Sequence, residues 1–332
     1  MSVVSRRTVL TVVGAGAVVA LVTPTAAHAI PLPGASKAAA RLAGARLWVN
    51  PASPAKKQAD AWRRSRPADA SHLDVIASTP TAVWIGDWNR NVTADVARIV
   101  SQAGSEGAMP VLVAYNIPNR DCGNHSAGGQ RSASGYRKWI RDFARGLTGR
   151  GAVVVLEPDA TASTKCLSAG QQAERFDLLA DAVRVLKDAH AAVYIDAGHA
   201  KWLSAQDIAA RLTKSGIAQA DGFALNVSNF VGTPGNIAYG NEVSRRVGGK
   251  HYIIDTSRNG SASTNGEWCN PAGQSVGRAP TTRTGHPLAD AFLWIKQPGE
   301  SDGACRGGPR AGTFWADYAV ELVKRSSMVA LR

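Results

Sequence analysis

Long hydrophobic runs are scarce in this 332-residue chain, and so are blocks of like charge. No apolar stretch reaches the ~20 residues a membrane-spanning helix needs. Basic residues outnumber acidic ones, 38 against 25 for a net charge of +13. They are scattered, however, in nothing longer than pairs such as Arg63-Arg64, Arg245-Arg246 and Lys324-Arg325. Without a basic stripe or a recognition motif, nucleic acid is not an expected partner, and a solvated basic surface is. The seven histidines are dispersed, and H-E-x-x-H, Walker A and G-x-G-x-x-G motifs are all missing. No C-x-x-C or H-x-x-H pair accompanies the four cysteines, so neither a metal nor a cofactor is expected. What is present is 45% hydrophobic residues against 19% charged, enough apolar content for one large packed core.

The first 29 residues read as an export signal. Arg6 and Arg7 precede a short apolar stretch, Val12 to Val22, and then Ala27-His28-Ala29, an A-x-A cleavage pattern. Adjacent arginines suit the twin-arginine route, so a secreted, extracellular protein with no membrane attachment after cleavage is expected. Removing residues 1–29 takes away two arginines and no acid, leaving +11. In an exported chain four cysteines suggest two disulfides among Cys122, Cys166, Cys269 and Cys305. Of the three pairings, 122–166 with 269–305 closes the shortest loops.

Residues 30–44 are small and rich in Pro, Gly and Ala, a short leader, and one domain is expected over 45–330. Eight apolar, β-branched runs recur at 46–50, 82–86, 109–115, 152–157, 192–196, 222–227, 250–256 and 291–296. Such near-continuous strands fit a parallel sheet covered on both faces. Between them lie helical patterns, clearest over 168–190, where Phe176, Leu179, Val183 and Leu186 make one stripe behind the N-cap candidate Ser168. The alternation predicts an α/β fold, a closed parallel β/α barrel, with a doubly wound open sheet as the alternative.

Polar residues collect just after these runs: Asn50, Asp87, Asp121, Asp159, Asp196 with His199, Asn226 with Asn229, Asp255 with Arg258, and Glu300 with Asp302. One aspartate after one strand is an ordinary helix cap. Acids after most strands would converge on the carboxyl-end face of a barrel, where active sites are built. Gly273-Gln-Ser275-Val-Gly277 matches the nucleophile elbow G-x-S-x-G, but it lies in a Gly/Pro-rich loop rather than between a strand and a helix. The expected chemistry is therefore carboxylate chemistry.

Seven motifs follow in order. They are Tyr115-Asn-Ile-Pro-Asn-Arg-Asp121-Cys122-Gly-Asn-His-Ser126, Leu156-Glu-Pro-Asp159, Tyr194-Ile-Asp196-Ala-Gly-His199-Ala-Lys-Trp202, Asn226-Val-Ser-Asn229, Asp255-Thr-Ser-Arg258, Trp268-Cys269-Asn270 and Trp294-Ile-Lys296-Gln-Pro-Gly-Glu300-Ser-Asp302. Over essentially the whole mature chain this series resembles glycoside hydrolase family 6, the inverting cellulases, in its actinobacterial endoglucanase-like branch. The resemblance implies a distorted seven-stranded β/α barrel and hydrolysis of β-1,4-glucosidic bonds. It implies Asp159 as general acid, Asp121 beside it, Asp302 as the candidate base and Asp196 as a further acid. Tyr115 matches the residue that favours ring distortion, and either Ser126 or Ala127 stands where the family keeps a serine that helps hold water.

It further implies Trp48, Trp202 and Trp268 as sugar-stacking residues. Lys296 and Glu300 would line a subsite, with His199, Asn226 and Asn229 as further substrate contacts. Trp84, Trp294, Trp62, Trp139 and Trp315 are expected as packing residues. The cysteines match the family's pairing, 122–166 and 269–305, and the loops these close look short, as in endoglucanases. The expected partner is a β-1,4-glucan, and the protein is expected to be a monomer. A cellobiohydrolase of the same family and a non-catalytic cell-wall glycan-binding protein are the alternatives.

Overall fold

A computed structural model describes residues 41–326 except 148, 150 and 262–265. The expected export signal and most of the expected leader lie outside the described residues. The chain enters through two helices, α1 (Pro54–Trp62) and α2 (Pro67–Ala77), and then alternates. The strands are β1 (Val83–Gly86), β2 (Val111–Tyr115), β3 (Val153–Leu156), β4 (Ala192–Asp196), β5 (Gly222–Leu225), β6 (His251–Asp255) and β7 (Ala289–Leu293). The helices between and after them are α3 (Val92–Ser105), α4 (Ala133–Leu147), α5 (Ala169–Asp188), α6 (Ala205–Lys214), α7 (Thr233–Arg246) and α8 (Ala316–Lys324).

All seven strands are parallel and paired in sequence order, β1 to β7. That order excludes the doubly wound alternative, whose strand order must reverse. The sheet curls until Thr81, just before β1, bridges Trp294, just after β7. The result is a distorted barrel closed by a single bridge. Sequence reading counted eight runs, and the first is not a strand: 46–50 contributes one isolated bridge, Leu47 to Met109.

Side chains alternate along each strand, as the pleat requires. Leu112, Ala114, Val154, Leu156, Val193 and Ile195 face the helices, in one large apolar layer with Ile99, Ile140, Phe143 and Leu179. Val113, Tyr115, Val155, Tyr194, Ala224 and Ile253 face inward and fill the barrel. Leu42, from the end of the expected leader, is completely buried in that interior, so the packed domain begins slightly earlier than expected. Ser168 caps α5 as anticipated, in a capping box with Gln171. No helix among the described residues is long and apolar enough to cross a membrane.

Both anticipated disulfides are present, Cys122–Cys166 and Cys269–Cys305. The segments they enclose are not free loops, however. The first contains α4 and β3 and the second contains β7. The length between the cysteines therefore measures framework as well as cleft wall.

Candidate active site

A cavity of about 500 Å³ opens at the carboxyl ends of the strands. It gathers nine of the anticipated residues: Tyr115, Asp121, Asp159, His199, Trp202, Asn229, Trp268, Lys296 and Asp302. Four others stand outside its lining. Trp48 is buried in the apolar layer, with its indole N–H donating to Glu106 Oε1 at 3.1 Å, and so is a packing residue rather than an open sugar platform. Asn226 is fully buried; its side-chain amide donates to the Asp255 carbonyl and its Oδ1 accepts from the Val231 N–H. Glu300 pairs with Lys296 at 3.2 Å. Asp196 lies beneath the floor, accepting the backbone N–H groups of Asp159 at 2.9 Å and Gly198 at 3.1 Å.

The local backbone explains how the acids reach the cavity. Glu157 and Asp159 both adopt positive φ, 49° and 70°, on either side of Pro158. Such conformations cost non-glycine residues about 1–3 kcal/mol each and persist where surrounding contacts enforce them. Here the Asp196 carboxylate grips the Asp159 N–H, and the buried Glu157 carboxylate accepts the N–H groups of Asn116 and Ile117. Asp121 also has positive φ, in a turn anchored by buried Arg120, which donates to the Tyr115 and Ser126 carbonyls. The Asp121 carboxylate accepts the Ser126 N–H at 2.8 Å, and the Cys122–Cys166 bond ties this turn to the segment after Asp159. Ser126, not Ala127, is the member of that pair that lines the cavity.

Asp302, also in the cavity lining, is paired with Arg258 at 2.9 Å and accepts the Asn270 N–H at 3.1 Å. The buried Asp255 carboxylate accepts four N–H groups, from Ser228, Ser257, Ile295 and Lys296, and so joins the segments after β5, β6 and β7. The segments after β2, β3, β5 and β7 are thus each held by a carboxylate at a neighbouring strand end. Among the described residues, no group of three His, Cys, Asp or Glu side chains is placed to hold a metal ion.

The same crowding sets the electrostatics. The Asp159 carboxyl is held well above the usual aspartate range, first by burial and then by the charges of Asp196, Asp121 and Asp302, with Lys296 opposing. Burial lifts Asp196 and Glu157 to about 7 each, although the backbone N–H groups they accept work against it. His199 is pushed down to about 4 by burial, so its ring is neutral at ordinary pH. Tyr115 is raised well above its usual value, mainly by burial, and remains a phenol.

These shifts carry a stability prediction. A carboxyl raised by folding holds its proton where the unfolded chain has lost it. Its contribution is complete below about pH 4 and is lost as pH climbs through the folded value, about 7 for Asp196 and Glu157. His199 acts oppositely, gaining stability between about 4 and its unfolded value near 6.5. With two acids against one histidine, the thermal midpoint should fall from about pH 5 to about pH 8 at constant ionic strength. A midpoint that rises across this range would mean that the buried carboxyls ionise without penalty.

Two exposed indoles stand in the cavity wall, Trp202 at 37% and Trp268 at 51% exposure. Trp202 leans on His199, with centroids 5.5 Å apart, and Trp268 on His125, 5.8 Å apart. Trp84, anticipated as a packing residue, lines the cavity as well, edge-on to Tyr115 at 5.1 Å. Its neighbours Val83 and Ile85 pack with the helix-facing layer, so alternation along β1 turns Trp84 inward at the open end of the barrel. That alternation was the signal available in the sequence.

The family model for glycosyl hydrolases family 6 matches residues 42–326. The chain belongs to this family. Among its relatives in the family, endoglucanase A of Cellulomonas fimi is 46% identical over 268 residues, 80% of this chain and 59% of that protein. Endoglucanase 1 of Streptomyces halstedii is 41% identical over 83% of this chain and 88% of its own length. This chain therefore spans less than two thirds of the Cellulomonas protein. The endoglucanase Cel6 of Mycobacterium tuberculosis, solved in complex with a methyl-cellobiosyl-thio-cellobioside, superposes with a TM-score of 0.82 at 46% identity, over 86% of this chain and 98% of that one. The family 6 barrel accounts for the seven strands where eight were counted.

Proposed function

We propose that this protein is a secreted, inverting endo-β-1,4-glucanase acting as a monomer on internal bonds of cellulose or soluble β-glucans. The observation that carries the reading is Asp159, a cavity-lining carboxyl whose proton is retained by burial and by three neighbouring acids. Cleaving a glucoside near neutral pH requires an acid of this kind to protonate the leaving oxygen as the C–O bond breaks. Water then attacks the anomeric carbon from the opposite face and gives its proton to a second carboxylate. Asp302 fills that role, with Arg258 and the Asn270 N–H occupying one of its oxygens and the other left for water. Trp202, Trp268 and Trp84 offer faces to sugar rings, Lys296 and Asn229 offer hydrogen bonds, and Tyr115 crowds the scissile unit. Asp196 serves by fixing the Asp159 backbone rather than by touching substrate.

Relatives named endoglucanase at 41–46% identity support internal cleavage. The test is the mode of attack on carboxymethylcellulose. Its viscosity should drop steeply while few reducing ends appear, and longer oligosaccharides should give mixed short products. Cellobiose as nearly the sole early product, with viscosity unchanged, would instead make the protein a cellobiohydrolase. No reducing ends at all would leave a glycan-binding protein. Polarimetry or NMR of the first product should show the α-anomer.

A further inference from the structure

Among the described residues only three large apolar side chains are exposed, and all are tryptophans. Trp202 and Trp268 line the cavity. The third, Trp88, is the most exposed at 52% and takes no part in the chemistry above. It lies on the segment leaving β1, four residues beyond the cavity-lining Trp84.

Trp88 is held in place. A Cβ at Gly86 would fall 2.5 Å from its six-membered ring, so the indole rests on glycine backbone that only a hydrogen leaves open. The Arg120 guanidinium sits 5.4 Å from the Trp88 ring and 4.6 Å from the Tyr115 ring. Arg120 is itself buried and fixed by Asp87, the Tyr115 carbonyl and the Ser126 carbonyl. One guanidinium therefore separates Trp88 from the wall of the cavity that Tyr115 and Trp84 form. The preceding residue, Asp87, has a half-open carboxylate that pairs with Arg120 and accepts the Gly129 N–H, with lone pairs left for hydroxyl groups.

Covering an exposed indole removes its apolar face from water, which is favourable, and an immobilised one has little conformational freedom left to lose on binding. Sugars present flat C–H faces ringed by hydroxyls, and a fixed indole that follows a half-open carboxylate in the chain complements both. We propose that Trp88 is an additional stacking platform for a glucosyl unit of the bound β-glucan, extending the cavity beyond Trp84 and Tyr115. The proposal rests on the glucanase reading and deepens it, by making the binding cleft longer than the cavity itself.

The variant Trp88→Ala tests it, because an exposed indole can be removed without opening the core. With a stacked ring contributing on the order of 1.4 kcal/mol, kcat/KM on cellohexaose and carboxymethylcellulose should fall about tenfold, chiefly through KM. On cellotriose, too short to occupy the platform and the cavity together, the two proteins should agree within about twofold. Trp88→Tyr should recover most of the loss. An equal loss on short and long substrates, with a lowered thermal midpoint, would make Trp88 a structural prop and overturn the proposal. So would no change on either. Calorimetric titration of cellohexaose into Asp159→Asn, with and without Trp88→Ala, separates this proposal from the glucanase reading. A weaker Kd without Trp88 supports the platform whether or not turnover is seen, and an unchanged Kd overturns it.

Discussion

Asp159→Asn should lower turnover of cellulose and unactivated cello-oligosaccharides by about 10²–10⁴-fold, the usual share of a positioned acid. Substrates carrying a good leaving group, such as a dinitrophenyl cellobioside, should be spared, because their departure needs little protonation. The expectation follows from where the proton is kept. Asp159 is raised by burial and by the charges of Asp196, Asp121 and Asp302, so it is available as an acid at pH values where an ordinary aspartate is not. Turnover of cellulose by the wild type should accordingly decline on the alkaline side as Asp159 ionises. In Asp159→Asn that decline should disappear for the activated substrate. Asparagine keeps the backbone N–H that Asp196 holds, so the fold should be preserved. An equal loss on both substrates would remove Asp159 from the role of acid and shift attention to the residues that place the sugar.

Much of this site was legible in the sequence because its chemistry is carried by short motifs at strand ends, where the chain order already fixes the neighbours. Asp121, Asp159 and Asp302 were found in that way, and all three line the cavity. Trp48, expected as a sugar platform, is packed, while Trp84, expected as a packing residue, both packs against the barrel interior and lines the cavity, for a physical reason. Both sit in apolar runs that look like strands, and only pairing decides which faces what. The run around Trp48 makes a single bridge, and its indole turns to the helix side and Glu106. Trp84 lies on a true strand, turned into the barrel mouth. Asn226 and Asp196 follow strands as the cavity-lining acids do, yet the Asn226 amide and the Asp196 Oδ2 are spent on backbone. A polar residue that completes the rim and one that faces substrate have the same address in the sequence. Only the hydrogen-bond partners distinguish them, and the deciding ones, Asp159 for Asp196 and Asp255 for Asn226, lie tens of residues away.

Asp302 is where stability and catalysis should separate most clearly. Its carboxylate is the ion-pair partner of Arg258, whose side chain has no solvent exposure. Asp302→Ala leaves that guanidinium buried without its counter-charge, and removing one member of such a pair typically costs about 3–5 kcal/mol. Asp302→Asn retains an oxygen of the same reach and should cost clearly less. Neither variant has a carboxylate to take a proton from the attacking water. Both should therefore lose turnover by about 10²-fold or more at a temperature where each is fully folded. A pH profile adds a third readout. The Asp302 charge helps to raise Asp159, so its removal should move the alkaline limb of any residual activity to lower pH. Thermal midpoints that differ between the two variants, beside turnover that does not, would assign the ion pair to the fold and the proton transfer to the carboxylate. Near-normal turnover in Asp302→Asn would sink the base assignment and leave Asp302 as the anchor of Arg258 alone.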